Sequence, residues 1–375
     1  MRIAQVAPPF ETVPPSAYGG TERVVAALTD ALVRRGHDVT LFASGDSRTL
    51  ARLVPIVKRA LWHREPPYKD LAPFWSIVLG RLVEHLHEFD LIHSHLDYWA
   101  FPLARVAPCP VVTTLHGRLD LPELQPLYRV FSDLPLVSIS DAQRAPVPFA
   151  NWVATVYHGI ELDEFTFNAQ PGGYLAFLGR IAPEKGLDTA IRVARRTGLP
   201  LKIAARKPLQ FARDPEVRKD WRYFNEVIQP LLGEDGVEFI GEVGGREKDA
   251  FLGSAGALLF PITWPEPFGL VMAEALACGT PVLALRQGSV PEVIRHGVTG
   301  YICDDEDALV KAVGRLGKID RAACRADAER RFSPGTMAEH YEQVYDRLLS
   351  HRKTVPRHPT RTLVSGAPAR RAALR

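Results

Sequence analysis

The chain has 375 residues, 46% hydrophobic and 24% charged, an ordinary globular composition whose length predicts two domains rather than one core. Its net charge of +3 comes from its end: residues 351–375 hold seven Lys/Arg and no acid, leaving 39 basic against 43 acidic residues over 1–350, a balance of −4. A mildly acidic body argues against nucleic acid as the main ligand, which would need a basic face on the folded part, and no apolar run reaches the ~18 residues of a membrane span.

The opening MRIAQVAPPF reads as a strand and turn, without the apolar core of a signal peptide. Cys109, Cys278, Cys303 and Cys324 show no CxxC or metal-like spacing. They are expected as reduced thiols in a cytoplasmic protein. Short apolar runs predict strands over Arg2–Ala7, Asp38–Ala43, Asp90–His93, Val111–Leu115 and Leu136–Ile139. Helical patterns cover Thr21–Arg35 and Ile77–Glu88. Between the first strand and the first helix lies Tyr18-Gly19-Gly20-Thr21-Glu22. Its glycines would let the backbone approach a ligand closely, although a tight loop into a helix explains them as well. Arg48–Arg64 is basic and partly amphipathic and is interrupted by Pro55. It is expected as a solvated surface helix, with weak peripheral membrane contact as a second reading.

His93 and His95 share one face of a strand. With His116 they could form a three-histidine metal site, but a structural role is preferred. His116, just before Gly117, stands past the carboxyl end of a strand, where it could bond a sugar hydroxyl. The loop residues Asp97, Tyr98, Trp99 and Arg118 to Gln125 are expected to line an acceptor site.

A polar stretch near Glu164–Gly173 links the halves. The rhythm then repeats: strands at Tyr174–Leu178, Leu201–Ala204, Val237–Ile240, Ala257–Phe260 and Pro281–Ala284, and helices at Leu187–Arg196, Arg246–Ser254, Gly269–Cys278 and Asp305–Leu316. Apolar strands between helices predict two α/β Rossmann-like domains with parallel sheets, over 1–165 and 170–335, facing across a cleft where a ligand would bind.

Arg180 and Lys185 follow the first strand of the second half, where two fixed cations could neutralise a diphosphate without a metal. The plainer reading is a solvated basic turn paired with Glu184. The most informative stretch runs from Glu266 through Phe268, Gly269, Leu270 and Val271 to Glu274, closing at Cys278-Gly-Thr-Pro281. A helix tip flanked by two carboxylates suits a ligand rich in phosphates and hydroxyls, such as a nucleotide sugar. Gly288–Glu292 is expected as another turn into a helix, with Glu292 in a structural role. After Tyr345 the pattern decays, and 351–375 is expected as a basic disordered tail.

With these motifs the chain resembles the retaining glycosyltransferases of the GT-B fold, family 4. The match rests on the E-x7-E segment Glu266–Glu274, Arg180 with Lys185, His116-Gly117, Gly19-Gly20 and the Gly288–Glu292 turn, and it runs to about residue 350. The resemblance implies an acceptor domain, then a nucleotide-sugar donor domain, then a helix over 336–350 returning to the first. It implies that Glu266 and the backbone of Phe268–Val271 hold hydroxyls of the transferred sugar. Glu274 would take the ribose, Arg180 and Lys185 the diphosphate, Gly20 the phosphate from the opposite domain, and His116 the sugar near its reacting carbon.

The implied reaction moves a hexosyl group from a nucleotide sugar to a hydroxyl acceptor (sugar, lipid or small molecule) without a metal or other cofactor. UDP-glucose is favoured over GDP-mannose as donor. One departure is Tyr157-His158-Gly159, where members often carry Asn-Gly. An epimerase or phosphorylase on the same fold, or a non-catalytic nucleotide-sugar binding protein, are the alternatives.

Overall fold

The computed structural model describes residues 1–16, 19–63, 68–208, 215–233 and 236–354. Tyr18, Arg64 and the tail beyond 354 lie outside the described residues. Among the described residues, thirteen strands form two sheets. The first contains β1 (Arg2–Val6), β2 (Asp38–Ser44), β3 (Arg52–Val57), β4 (Leu91–Ser94), β5 (Val111–Thr114), β6 (Leu136–Ser138) and β7 (Trp152–Thr155). Their order is β3-β2-β1-β4-β5-β6-β7, all parallel. The second contains β8 (Leu175–Leu178), β9 (Leu201–Ala204), β10 (Val237–Gly241), β11 (Ala257–Phe260), β12 (Val282–Leu285) and β13 (Gly300–Cys303) in the parallel order β10-β9-β8-β11-β12-β13.

The central strands are buried, as their apolar residues require: Ile3, Ala4 and Val6 in β1, with Gln5 buried between them, and all of Ala257–Phe260 in β11. Strand order reverses between β1 and β4 and again between β8 and β11. At such switch points the loops leaving the carboxyl ends diverge and open a crevice. Arg180 and Lys185 leave β8, and the Glu266 segment leaves β11, so both converge on the second crevice.

Arg48–Arg64 is not a surface helix. It forms the edge strand β3, followed by a short 3₁₀ turn at Leu61–His63. Val54, Ile56 and Val57 favour extended backbone, and Pro55, which lacks an N–H, is tolerated at a sheet edge. The helix that would have carried membrane contact is therefore absent from this segment. The sequence reading also missed β7 and β13, both edge strands. In β7 only Trp152, Val153 and Ala154 are apolar, and all four of its residues are partly exposed.

The last helix, Pro334–Thr354, crosses back onto the first domain. Met337, Ala338, Tyr341, Val344 and Tyr345 pack with Val24, Leu28 and Leu32 of the Gly20–Arg34 helix and with Ile3 and Leu91 beneath it. Glu342 fixes the register, accepting from Arg35 at 2.7 and 2.6 Å and facing His37 at 2.8 Å. A second tie joins the domains at Glu292. Its carboxylate accepts from the backbone N–H groups of Asp141 (2.7 Å) and Ala142 (2.8 Å) and from the Tyr157 hydroxyl (3.2 Å). Glu292 thus caps a helix of the opposite domain, Asp141–Arg144, satisfying donors that no intrahelical carbonyl can reach.

Candidate functional site

Gly269 sits at φ 75°, a left-handed conformation that glycine adopts at little cost, and turns the chain into the helix Leu270–Ala277. The N–H groups of Leu270 and Val271 are among the helix's first and have no partner within it. Glu266 and Phe268 are clamped from behind. Ser289 donates its N–H to the Glu266 carbonyl (3.0 Å) and its hydroxyl to the Phe268 carbonyl (2.9 Å). A Cβ on Gly288 would stand 2.4 Å from the Glu266 carbonyl oxygen, so only glycine permits this approach.

Lys185 closes the 3₁₀ turn Pro183–Lys185 after β8. Its Nζ pairs with Glu266 Oε2 and lies 4.8 Å from the centre of the Trp264 ring. The Trp264 indole donates to the same Glu266 oxygen at 3.1 Å. The two charged side chains are only 19% and 14% exposed, so the site already excludes much water. Arg180 is arranged differently. Its guanidinium bonds Asp220 at 2.8 Å and Glu184 at 2.6 Å. The expected pair of cations is one lysine on Glu266 and one arginine matched by two carboxylates. Asp220, buried on the Pro215–Tyr223 helix, was not found from the sequence.

Across the cleft the Gly20–Arg34 helix begins. A Cβ on Gly20 would stand 3.4 Å from Leu270 Cδ1, so the two helix N-termini face each other. Both present partial positive charge to the gap between them. Arg118 completes the closure: its guanidinium lies 5.6 Å from the Trp264 ring centre and bonds Asp120 at 2.7 Å twice.

Glu22, in the first turn of the Gly20–Arg34 helix, is buried, and burial pushes its carboxyl up to about 7. The native state therefore holds a proton that the unfolded chain releases nearer 4.5. Stability falls as pH rises from the lower value through the higher one, and the cost is complete above it. Glu22→Gln should exceed the parent by about 1–3 kcal/mol at pH 8 and lose that advantage near pH 4. Urea midpoints at the two pH values check this; an equal gain at both would contradict it.

Glu274 lies buried on the Leu270–Ala277 helix, one carboxylate oxygen 2.6 Å from Lys248 Nζ. Lys248, itself buried on the Gly245–Gly253 helix, was missed, because a lysine in a charged helical stretch reads as a surface residue.

Four imidazoles run from the first domain's core to the cleft. Ring centres are 4.1 Å apart for His93–His95, 5.1 Å for His95–His116 and 5.2 Å for His116–His158, and His158 meets Phe268 at 4.9 Å. Burial lowers the pKa of all four, that of His116 to about 3. The three-histidine metal site does not form. His93 spends its nitrogens on Tyr345 (2.7 Å) and Thr114 (2.7 Å), and His95 on His116 (2.9 Å) and Gln5 (2.8 Å). Among the described residues no group of three or more potential ligands converges. His158 bridges His116 and Phe268.

Of the expected acceptor residues, Asp97 adopts φ 49° and accepts from the His116 N–H at 3.4 Å. Burial raises its carboxyl to about 6. Tyr98 stacks on Trp99 at 5.5 Å, and Trp99 on Trp75 at 5.0 Å, so this wall turns partly into its own domain. Among the described residues no helix is long and apolar enough to cross a membrane.

A family model described as Glycosyltransferase Family 4 matches residues 18–147, and one described as Glycosyl transferases group 1 matches residues 161–331. The phosphatidyl-myo-inositol mannosyltransferase of Mycobacterium leprae is 26% identical, over 93% of this chain and 98% of its own. The D-inositol 3-phosphate glycosyltransferase of Mycolicibacterium smegmatis is 27% identical, over 91% and 88%. Among solved structures, AviGT4, a glycosyltransferase involved in avilamycin A biosynthesis, superposes with a TM-score of 0.70 at 24% identity, covering 93% of this chain and 98% of its own. Anabaena HepE, solved with UDP-glucose, gives 0.69 at 18%, covering 93% and 100%. These two share the GT-B fold with this chain.

Proposed function

The chain belongs to the family 4 glycosyltransferases of GT-B fold, with a Family 4 domain followed by a group 1 domain, and from that premise we propose that it moves a hexosyl group from a UDP-sugar, UDP-glucose before GDP-mannose, to a hydroxyl acceptor with retention of configuration. The observation that carries this is the meeting of Lys185, Glu266 and the Leu270 helix tip opposite Gly20. A pyrophosphate between two positive helix ends and a lysine is stabilised with little reorganisation. Each charge-assisted bond to it is worth about 1.5–3 kcal/mol.

As the bond from the anomeric carbon to phosphate weakens, negative charge grows on the leaving oxygen and positive charge on the sugar. Lys185, with Arg180 behind it, stabilises the first. Glu266 and the Phe268–Val271 backbone hold the sugar's hydroxyls, and His116 its face near the reacting carbon. The carboxylates close by are engaged: Glu266 with Lys185 and Trp264, Glu274 with Lys248. That favours front-face attack, in which the departing phosphate oxygen takes the acceptor's proton, over double displacement through a glycosyl-enzyme. Contact of Arg118 with Trp264 across the cleft would help exclude water from the donor.

UDP-glucose is supported by its presence in the HepE complex; the relatives named for inositol phosphate act on a hydroxylated acceptor. Four buried free cysteines fit a reducing, cytoplasmic setting. The test is a panel of nucleotide sugars scored for hydrolysis and thermal shift, with and without EDTA. UDP-glucose should give the largest response, unchanged by EDTA. No response to any nucleotide sugar would overturn the transferase assignment, and abolition by EDTA would overturn the metal-free one.

A further inference from the structure

His116 owes its hydrogen-bonding character to residues that lie behind it. Each imidazole in the row is buried and neutral, so each carries one proton. Gln5 sets the direction. Its carbonyl oxygen faces His95 Nε2 at 2.8 Å, and its amide nitrogen faces the Tyr345 hydroxyl at 3.2 Å and His93 Nδ1 at 3.4 Å.

A carbonyl only accepts, so the His95 proton is on Nε2 and its Nδ1 is bare. That bare nitrogen lies 2.9 Å from His116 Nε2, which must therefore donate. The remaining nitrogen, His116 Nδ1, is a lone pair, buried and without a partner. The other branch is consistent. The Tyr345 hydroxyl donates to His93 Nδ1 at 2.7 Å, His93 Nε2–H donates to the Thr114 hydroxyl at 2.7 Å, and that hydroxyl donates to Tyr341 at 2.8 Å. Turning the Gln5 amide over would reverse every bond toward the cleft and leave His116 Nδ1 carrying hydrogen. One buried amide thus sets the polarity of His93, His95 and His116, braced by two tyrosines of the returning helix.

We propose that Gln5 and His95 are positioning residues that hold His116 as the Nε2–H tautomer, so that its Nδ1 lone pair accepts a hydrogen bond from a hydroxyl of the transferred sugar. A site whose buried acceptor awaits an O–H discriminates against a donor lacking that hydroxyl, because the acceptor is then left unpaired. The inference rests on the reading of His116 as a donor-sugar contact, but the tautomer does not.

Long-range ¹⁵N–¹H spectra of histidine-labelled protein, without donor, read the tautomer; His116→Asn assigns the signal. The parent should show His116 with bare Nδ1. Gln5→Met and His95→Leu should move it to a mixture of tautomers and lower kcat/KM about tenfold or more. His95→Gln, whose amide oxygen can still accept, should keep the parent tautomer and most of the activity. A proton on His116 Nδ1 in the parent overturns the proposal even if every variant misfolds. So does a tautomer unmoved in Gln5→Met and His95→Leu with kcat/KM held. Failure of all nucleotide sugars to react would remove the functional reading and leave the tautomer result intact.

Discussion

Lys185→Ala should lower turnover by about 10²–10³-fold while leaving the fold intact, the loss expected when one preorganised group is removed from developing charge. The side chain belongs to no hydrophobic core cluster, so the fold should survive, with a modest loss of thermal stability from the unpaired Glu266. Its deletion acts twice. It frees Glu266 from its pair, and on the proposed reading it also removes the cation at the leaving phosphate and leaves an unbalanced carboxylate beside the diphosphate. Arg180→Ala should cost less, because Glu184 and Asp220 already match its charge. Single-turnover rates at saturating donor separate the two variants. Near-normal rates for Lys185→Ala would remove the leaving-group role given to it.

Lys248→Met should destabilise the protein by about 3–5 kcal/mol, since it leaves Glu274 buried and uncompensated. The double variant Lys248→Met/Glu274→Met should recover most of that loss, because a buried ion pair replaced by apolar groups of similar volume is often neutral. On the proposed reading the two positions also differ in function. Glu274→Ala should weaken binding of the free nucleotide if Glu274 takes the ribose as proposed. Urea midpoints measure the first effect, and titration calorimetry with UDP the second. Additive losses in the double variant would show that the pair is not coupled, and an unchanged dissociation constant would count against the ribose role.

The parallel sheets were legible because β8 and β11 are continuous apolar runs and β1 and β4 largely apolar ones, set between helical stretches as two-sided burial requires. Edge strands were not: β3 contains Pro55 and basic neighbours, and in isolation that composition looks amphipathic. The Glu266–Glu274 segment was legible because a left-handed glycine, a helix start and flanking acids are local features. Its partners were not local. Lys248, Asp220 and the Glu292 cap on the opposite domain are set by tertiary placement, and charged residues in helices or turns give no sign of burial. Gln5 did leave a sign, a polar residue inside the apolar strand Arg2–Val6, and buried polar groups are held by partners.

The central claim is that a diphosphate sits between Lys185 and the start of the Leu270–Ala277 helix, with Gly20 opposite. A crystal structure with UDP-glucose bound tests it most directly. Phosphate oxygens should lie about 3 Å from Lys185 Nζ and from the N–H of Leu270 or Val271. Phosphates held elsewhere, with the Lys185–Glu266 pair untouched by ligand, would contradict it.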